Sequence, residues 1–218
     1  MNFLSHYYLL PEKENIDLII GNLLPDLMRG FTKIYNLEIK SNPLTHGTKF
    51  IQGLHYHLLT DKLFHNSAFF QKNCNALKRI TEFHQLPLNR NFIVSHIMLD
   101  LIIDQYLIEQ SPSLATNFYK MLDAADLIKL EDQLKMTMPR QNSSNIIRIF
   151  NGFRENRYAY QLLEQEGIQA GLYHIVGKRI GLSFQEQQWK QAIQEGKETI
   201  AEGLPFFLKK IKHELNDA

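Results

Sequence analysis

The sequence predicts an all-α protein, a multi-helix bundle. Apolar residues recur at i, i+3 and i+4 along most of the chain. Period-two alternation is rarely sustained. Proline and glycine punctuate the periodic stretches at helix-length intervals. The first stretch runs from Ile16 to Leu27, with Leu18, Ile19, Leu23 and Leu27 apolar, and Pro25 inside it predicts a break or bend near Leu24. Thr48 to His65 follows, then Ala68 to Phe83. Asn89 to Gln110 has the strongest pattern, through Phe92, Ile93, Ile97, Leu99, Ile103 and Leu107. Leu114 to Leu122, Ala125 to Met136, Ser144 to Glu164, Ile168 to Ile180 and Gln185 to Leu215 complete the set. Pro43, Pro87, Pro112, Pro139, Gly167 and Gly181 separate them. Ser183 with Glu186 reads as a capping box for the last helix. Residues 36–47, NLEIKSNPLTHG, read as a loop. There is no internal repeat, low-complexity segment or flexible linker, so the expectation is a single helical domain over 1–218.

Composition narrows the function classes. The chain has 218 residues, 44% hydrophobic and 22% charged, enough to bury a sizeable core. The formal charge of +1 comes from mixed acidic and basic residues, without the basic stripe of a nucleic-acid binder. The lone cysteine, Cys74, excludes an internal disulfide and fits a reducing compartment. Its neighbours Asn73 and Asn75 supply no base, so an inert thiol is expected. The N-terminal MNFLSHYYLLPEKEN lacks a basic leader and cleavage site, and no uninterrupted apolar run reaches ~18 residues. The expectation is a cytoplasmic protein without a membrane partner.

Two segments are rich in metal-ligand side chains. In GLHYHLLTDKLFH (53–65), His57, Asp61 and His65 are spaced i, i+4, i+8, one stripe of a helix, whereas His55 points elsewhere. In FIVSHIMLDLIIDQYL (92–107), His96, Asp100 and Asp104 repeat that spacing in an apolar helix. A carboxylate among Ile, Met and Leu is costly to desolvate unless it is paired or bound to a cation. Two such stripes facing each other would form a mixed nitrogen–oxygen cage suited to Mn²⁺, Fe²⁺, Zn²⁺ or Mg²⁺. The plainer alternative is helix-surface hydrogen bonds and packed histidines. Asn22, Asp26 and Arg29 lie among leucines in GNLLPDLMRG (21–30), where Asp26 after Pro25 is also a candidate helix cap. His6 ends the apolar NFLSH, where plain packing is the alternative.

Taken in order, MNFLSH, GNLLPDLMRG and GLHYHLLTD resemble the acyl carrier protein phosphodiesterase family, as HIMLDLIIDQYL resembles its V-x-x-x-D-H-F-L helix at Asp100. Weaker similarity continues through RYAYQLLEQEGIQAGLYHIVGKR. The family is similar to the HD-domain metal-dependent phosphohydrolases, which are helical. The resemblance implies hydrolysis of the phosphodiester that joins 4′-phosphopantetheine to acyl carrier protein, with Mn²⁺ or Mg²⁺. It implies a metal site from His6, Asp26, His57, Asp61, His96 and Asp100, supported by His65, Asp104 and His55. Asp26 and Asp61 are the candidate acid–base groups. Arg29, supported by Asn22, is the candidate for transition-state charge.

The chain departs from the family strings at Leu58, where an arginine is usual, at Leu101 in place of a histidine, and at Pro25 before the aspartate. His65 and His96 stand where some members carry aspartate. The missing arginine removes a phosphate clamp. If the acidic carrier protein docks electrostatically, Lys33, Lys40, Lys49, Lys62, Arg79 and Arg90 are the nearby cations in sequence. The alternative functions are a phosphohydrolase acting on a nucleotide or small phosphorylated metabolite, and a non-catalytic helical module that binds a partner. The C-terminal Phe206 and Phe207, beside Lys209, Lys210 and Lys212, read as a packing helix, a dimer contact or a partner surface.

Overall fold

The computed structural model describes residues 1–28, 30–40, 47–84, 86, 91–164, 166–177 and 186–217. Among these residues there are helices and turns and no strand, as the apolar periodicity predicts. In chain order the helices are α1 (Phe3–Leu9), α2 (Ile16–Leu27), α3 (Phe31–Ile34), α4 (Lys49–His65), α5 (Ala68–Phe83), α6 (Asn91–Gln110) and α7 (Pro112–Asp123). Then come α8 (Leu127–Thr137), α9 (Ser143–Asn156), α10 (Tyr158–Gln161), α11 (Gly167–Leu172), α12 (Glu186–Ala201) and α13 (Leu204–Asn216). Wider, π-type turns extend α3 over Tyr35–Ile39 and α11 over Tyr173–Gly177.

Local chemistry sets many of the helix starts. Side-chain oxygens of Asn15, Ser67, Asp126 and Asn142 each accept a main-chain N–H in the first turn of α2, α5, α8 and α9. Pro112 opens α7, where its missing N–H costs nothing.

Several boundaries differ from those read off the sequence. The N-terminal apolar run forms a helix of its own, α1. Helix α2 does not break near Leu24 but runs through Pro25 to Leu27. Pro25 stands in the last turn, where it removes a single hydrogen bond close to a helix end. Residues 36–39 are helical rather than loop; 41–46 lie outside the described residues. The expected helix from Ser144 to Glu164 is divided at Arg157, which adopts the left-handed conformation at φ 48°. Arg157 is the left-handed cap that ends α9, and its guanidinium reaches Asp123 at 2.7 Å and lies 4.9 Å from the Tyr119 ring centre. The final stretch is likewise two helices, because Glu202 and Gly203 interrupt it and Pro205 restarts it as α13. The capping serine expected at Ser183 and the separators Pro43, Pro87 and Gly181 lie outside the described residues.

The chain divides into two compact units. The first comprises Met1–Asn2, Asp61–Ser111 and Ala159–Ala218; the second comprises Phe3–Thr60 and Pro112–Tyr158. In the first unit, α6 lies against α5 and α11, and α12 lies against α5. Gly196 of α12 makes that approach possible: a Cβ there would stand 2.6 Å from Leu77 Cδ2 and 3.1 Å from Met98 Cε. Leu77, Met98, Leu101, Ile103 and Trp189 are fully enclosed in this core. Helix α6 is the described helix long and apolar enough to cross a membrane, and most of it is buried inside protein.

In the second unit, α1 rests on α2 and α7, with Tyr7 on Phe118 at 5.1 Å and Phe3 on Phe153 at 4.4 Å between ring centres. Helices α2 and α4 cross backbone against backbone. A Cβ on Gly21 would stand 2.0 Å from the Phe50 carbonyl oxygen, and one on Gly53 2.2 Å from the Leu18 carbonyl oxygen. No residue but glycine fits either side of that crossing.

Candidate metal centre

The glycine crossing builds the first group of ligand-type side chains. His57 lies one turn beyond Gly53 on α4, Asn22 follows Gly21, and Asp26 lies one turn past Asn22 on α2. With the two backbones in contact, His57 Nδ1 comes 2.8 Å from the main-chain oxygen of Asn22. A carbonyl can only accept, so Nδ1 carries the hydrogen and Nε2 presents its lone pair. This arrangement orients a ligating histidine and raises its basicity. His6 of α1 lies face to face on His57, with ring centres 4.0 Å apart and planes 17° from parallel. Both rings are buried.

The carboxylate of Asp26 faces both imidazoles. Its oxygens lie 4.0 Å from His6 Nε2 and 3.7 Å from His57 Nε2. These separations exceed hydrogen-bond length. Ligands held at about 2.1 Å by one ion at tetrahedral angles stand about 3.4 Å apart, so closure by a few tenths of an ångström would admit a cation. Asp61 lies one turn beyond His57 on the same helix, within the other compact unit. The donors are imidazole nitrogen and carboxylate oxygen without thiolate. They fit Mn²⁺, Fe²⁺ or Zn²⁺, and Mg²⁺ less well because of the two nitrogens.

The second group belongs to the other unit, where the last turn of α4 faces α6. Here Asp61 and His65 of one stripe stand beside His96 and Asp100 of the other. His65 Nε2 lies 3.9 Å from its own-helix neighbour Asp61, and His96 Nε2 lies 3.3 Å from Asp100. The two imidazoles meet edge to face at 4.8 Å, and Phe70 borders both, at 4.8 Å from His65 and 5.0 Å from His96. The Met1 ammonium lies 3.2 Å from Asp61 and 3.7 Å from Asp100, a cation between two carboxylates. Burial pushes the Asp100 carboxyl above its ordinary range and the Asp61 charge adds to the rise, while the ammonium and His96 oppose it. Burial, reinforced by Asp100, pushes the Cys74 thiol up to about 12, consistent with an inert cysteine.

The remaining sequence candidates are placed as follows. Asp104 is buried one turn beyond Asp100. His55 faces away from His57, its Nδ1 2.7 Å from the Tyr35 hydroxyl. Asn22 meets the site through its main-chain carbonyl; its side-chain Nδ2 is buried without a hydrogen-bond partner among the described residues. Arg29 and Arg90 lie outside the described residues. The sequence reading missed Gly21 and Gly53 as the spacers that create the first group, although an interior glycine in each of two helical stretches signals a close backbone approach.

The chain matches no family model, no curated protein and no solved structure.

Proposed function

We propose that this protein is a divalent-metal-dependent phosphodiester hydrolase that releases 4′-phosphopantetheine from acyl carrier protein. The observation that carries the metal-dependent half is the stacked His6–His57 pair with Asp26 facing both Nε2 atoms. The carrier-protein half rests on the three N-terminal strings, taken in order. His6, Asp26 and His57 would hold the ion. Once bound, such an ion polarises phosphoryl oxygens and acidifies water. The Asn22 carbonyl fixes the His57 tautomer, and the stack with His6 holds both rings against rotation. The buried walls around the imidazoles keep bulk water away, which strengthens every charge interaction there.

The test is mass spectrometry of holo-acyl carrier protein incubated with the protein and Mn²⁺ or Mg²⁺, beside His57→Ala and Asp26→Asn. Loss of the prosthetic group with wild type alone supports the proposal. Bound metal without loss of the group would redirect it to a nucleotide or small phosphorylated metabolite. Absence of metal binding would favour the non-catalytic module.

A further inference from the structure

A groove in the first unit belongs to neither ligand group. It has a volume of about 540 Å³, in the range of small-molecule sites. Its walls come from the last turn of α4, the start of α5 and the face of α13 that carries Phe206, Phe207, Lys210, Ile211 and Glu214. At a rise of about 1.5 Å per residue, that face runs for about 12 Å, so the groove is a trough rather than a round cup. Phe69 and Phe207 stack as its floor, with ring centres 4.2 Å apart and planes 4° from parallel. Phe206 stands 74% exposed beside it, a large apolar side chain left in water.

Charge selects the occupant. Lys210 is 3.6 Å from Glu214, so these two largely cancel. Lys62 is exposed and has no ion-pair partner among the described residues. The groove therefore combines an apolar trough with one uncompensated positive charge at its rim. We propose that it binds a free fatty acid of about ten to twelve carbons, with the acyl chain along Phe69, Phe207 and Ile211 and the carboxylate at Lys62. The groove stands apart from the hydrolase reading: its walls belong to the first unit, whereas His6, Asp26 and His57 belong to the second, and it needs no metal.

The test is calorimetric titration of the full chain with dodecanoate below its micellar concentration, in the presence of chelator. The expected result is one site per chain, with a negative heat-capacity change from apolar burial. Ala68→Trp places a bulky ring in the trough from an exposed position and should weaken binding by about tenfold or more. Lys62→Gln should weaken it a few-fold, the scale of a solvent-exposed ion pair. Unchanged melting of both variants would show that they fold. No heat with wild type, or equal heat with both variants, would overturn the proposal. A concentration-dependent dimer that Phe206→Ala dissociates, with no dodecanoate bound, would also overturn it, because the groove would then be a self-contact.

Discussion

The two ligand groups are built from the same side chains but in opposite ways. In the α1–α2–α4 group, two buried imidazoles are stacked, one is fixed by a main-chain carbonyl, and a single aspartate faces both. In the α4–α6 group each histidine is beside its own carboxylate one helical turn away, and an ammonium occupies the space between the two acids. The first gathers imidazole nitrogens and a carboxylate from three helices; in the second an ammonium stands beside both carboxylates. A helix can pair its own residues at i and i+4 without tertiary help. Only a crossing of two backbones can bring an Asn22 carbonyl, a His57 ring and a third helix's His6 together. This contrast makes the first group the candidate for ion binding and gives the second a reading as packing with local charge balance.

The largest way to break the contrast is to force the crossing apart. Gly53→Val would place side-chain carbon against the Leu18 carbonyl and the Asn22 amide, and should destabilise the protein by about 3 kcal/mol or more. The urea midpoint measures this. A stability near wild type would show that α2 and α4 do not rely on that contact.

The next effect separates the groups directly. His57→Ala should weaken Mn²⁺ binding by about 100-fold or more, because it removes a ligand together with its orienting hydrogen bond. His65→Ala should change it by less than about tenfold. Isothermal titration with Mn²⁺ reads both, and the reverse order would move the ion to the α4–α6 group.

A pH series sharpens the second half of the contrast. The folded Asp100 carboxyl binds its proton more tightly than an unfolded aspartate, whose pKa is about 3.9. Its contribution to stability is therefore fully present below about pH 4 and is lost as pH rises through the folded value. Urea midpoints measured in chelator from pH 4 upward should decline more steeply for wild type than for Asp100→Asn. Parallel curves would refute the burial argument.

The smallest expected change concerns Cys74. With its thiol held near 12 and almost no exposure, it should not react with a disulfide reagent at pH 8 until denaturant is added. One equivalent released promptly from the native protein would mean that the α5–α6 core opens readily.

Much of the helical pattern was legible in the residues, and the physical reason is range. A helix is selected by apolar spacing, caps and breakers within a few turns, so α4, α5, α6 and α7 fall within a few residues of where the pattern places them. The same local rule exposed the His57–Asp61–His65 and His96–Asp100–Asp104 stripes. It did not reveal the helix end at Arg157, a non-glycine residue in the left-handed conformation whose side chain meets Asp123 and Tyr119 more than thirty residues away. Nor did it rank the two ligand groups. Which histidine meets a carbonyl, which meets a carboxylate of its own helix, and which lies face to face with another ring depends on helix crossings. Those crossings were decided by tertiary structure, through two glycines whose missing side chains let α2 and α4 touch. The sequence by itself determined the helices and the supply of ligands; close approach between distant segments decided where those ligands converge.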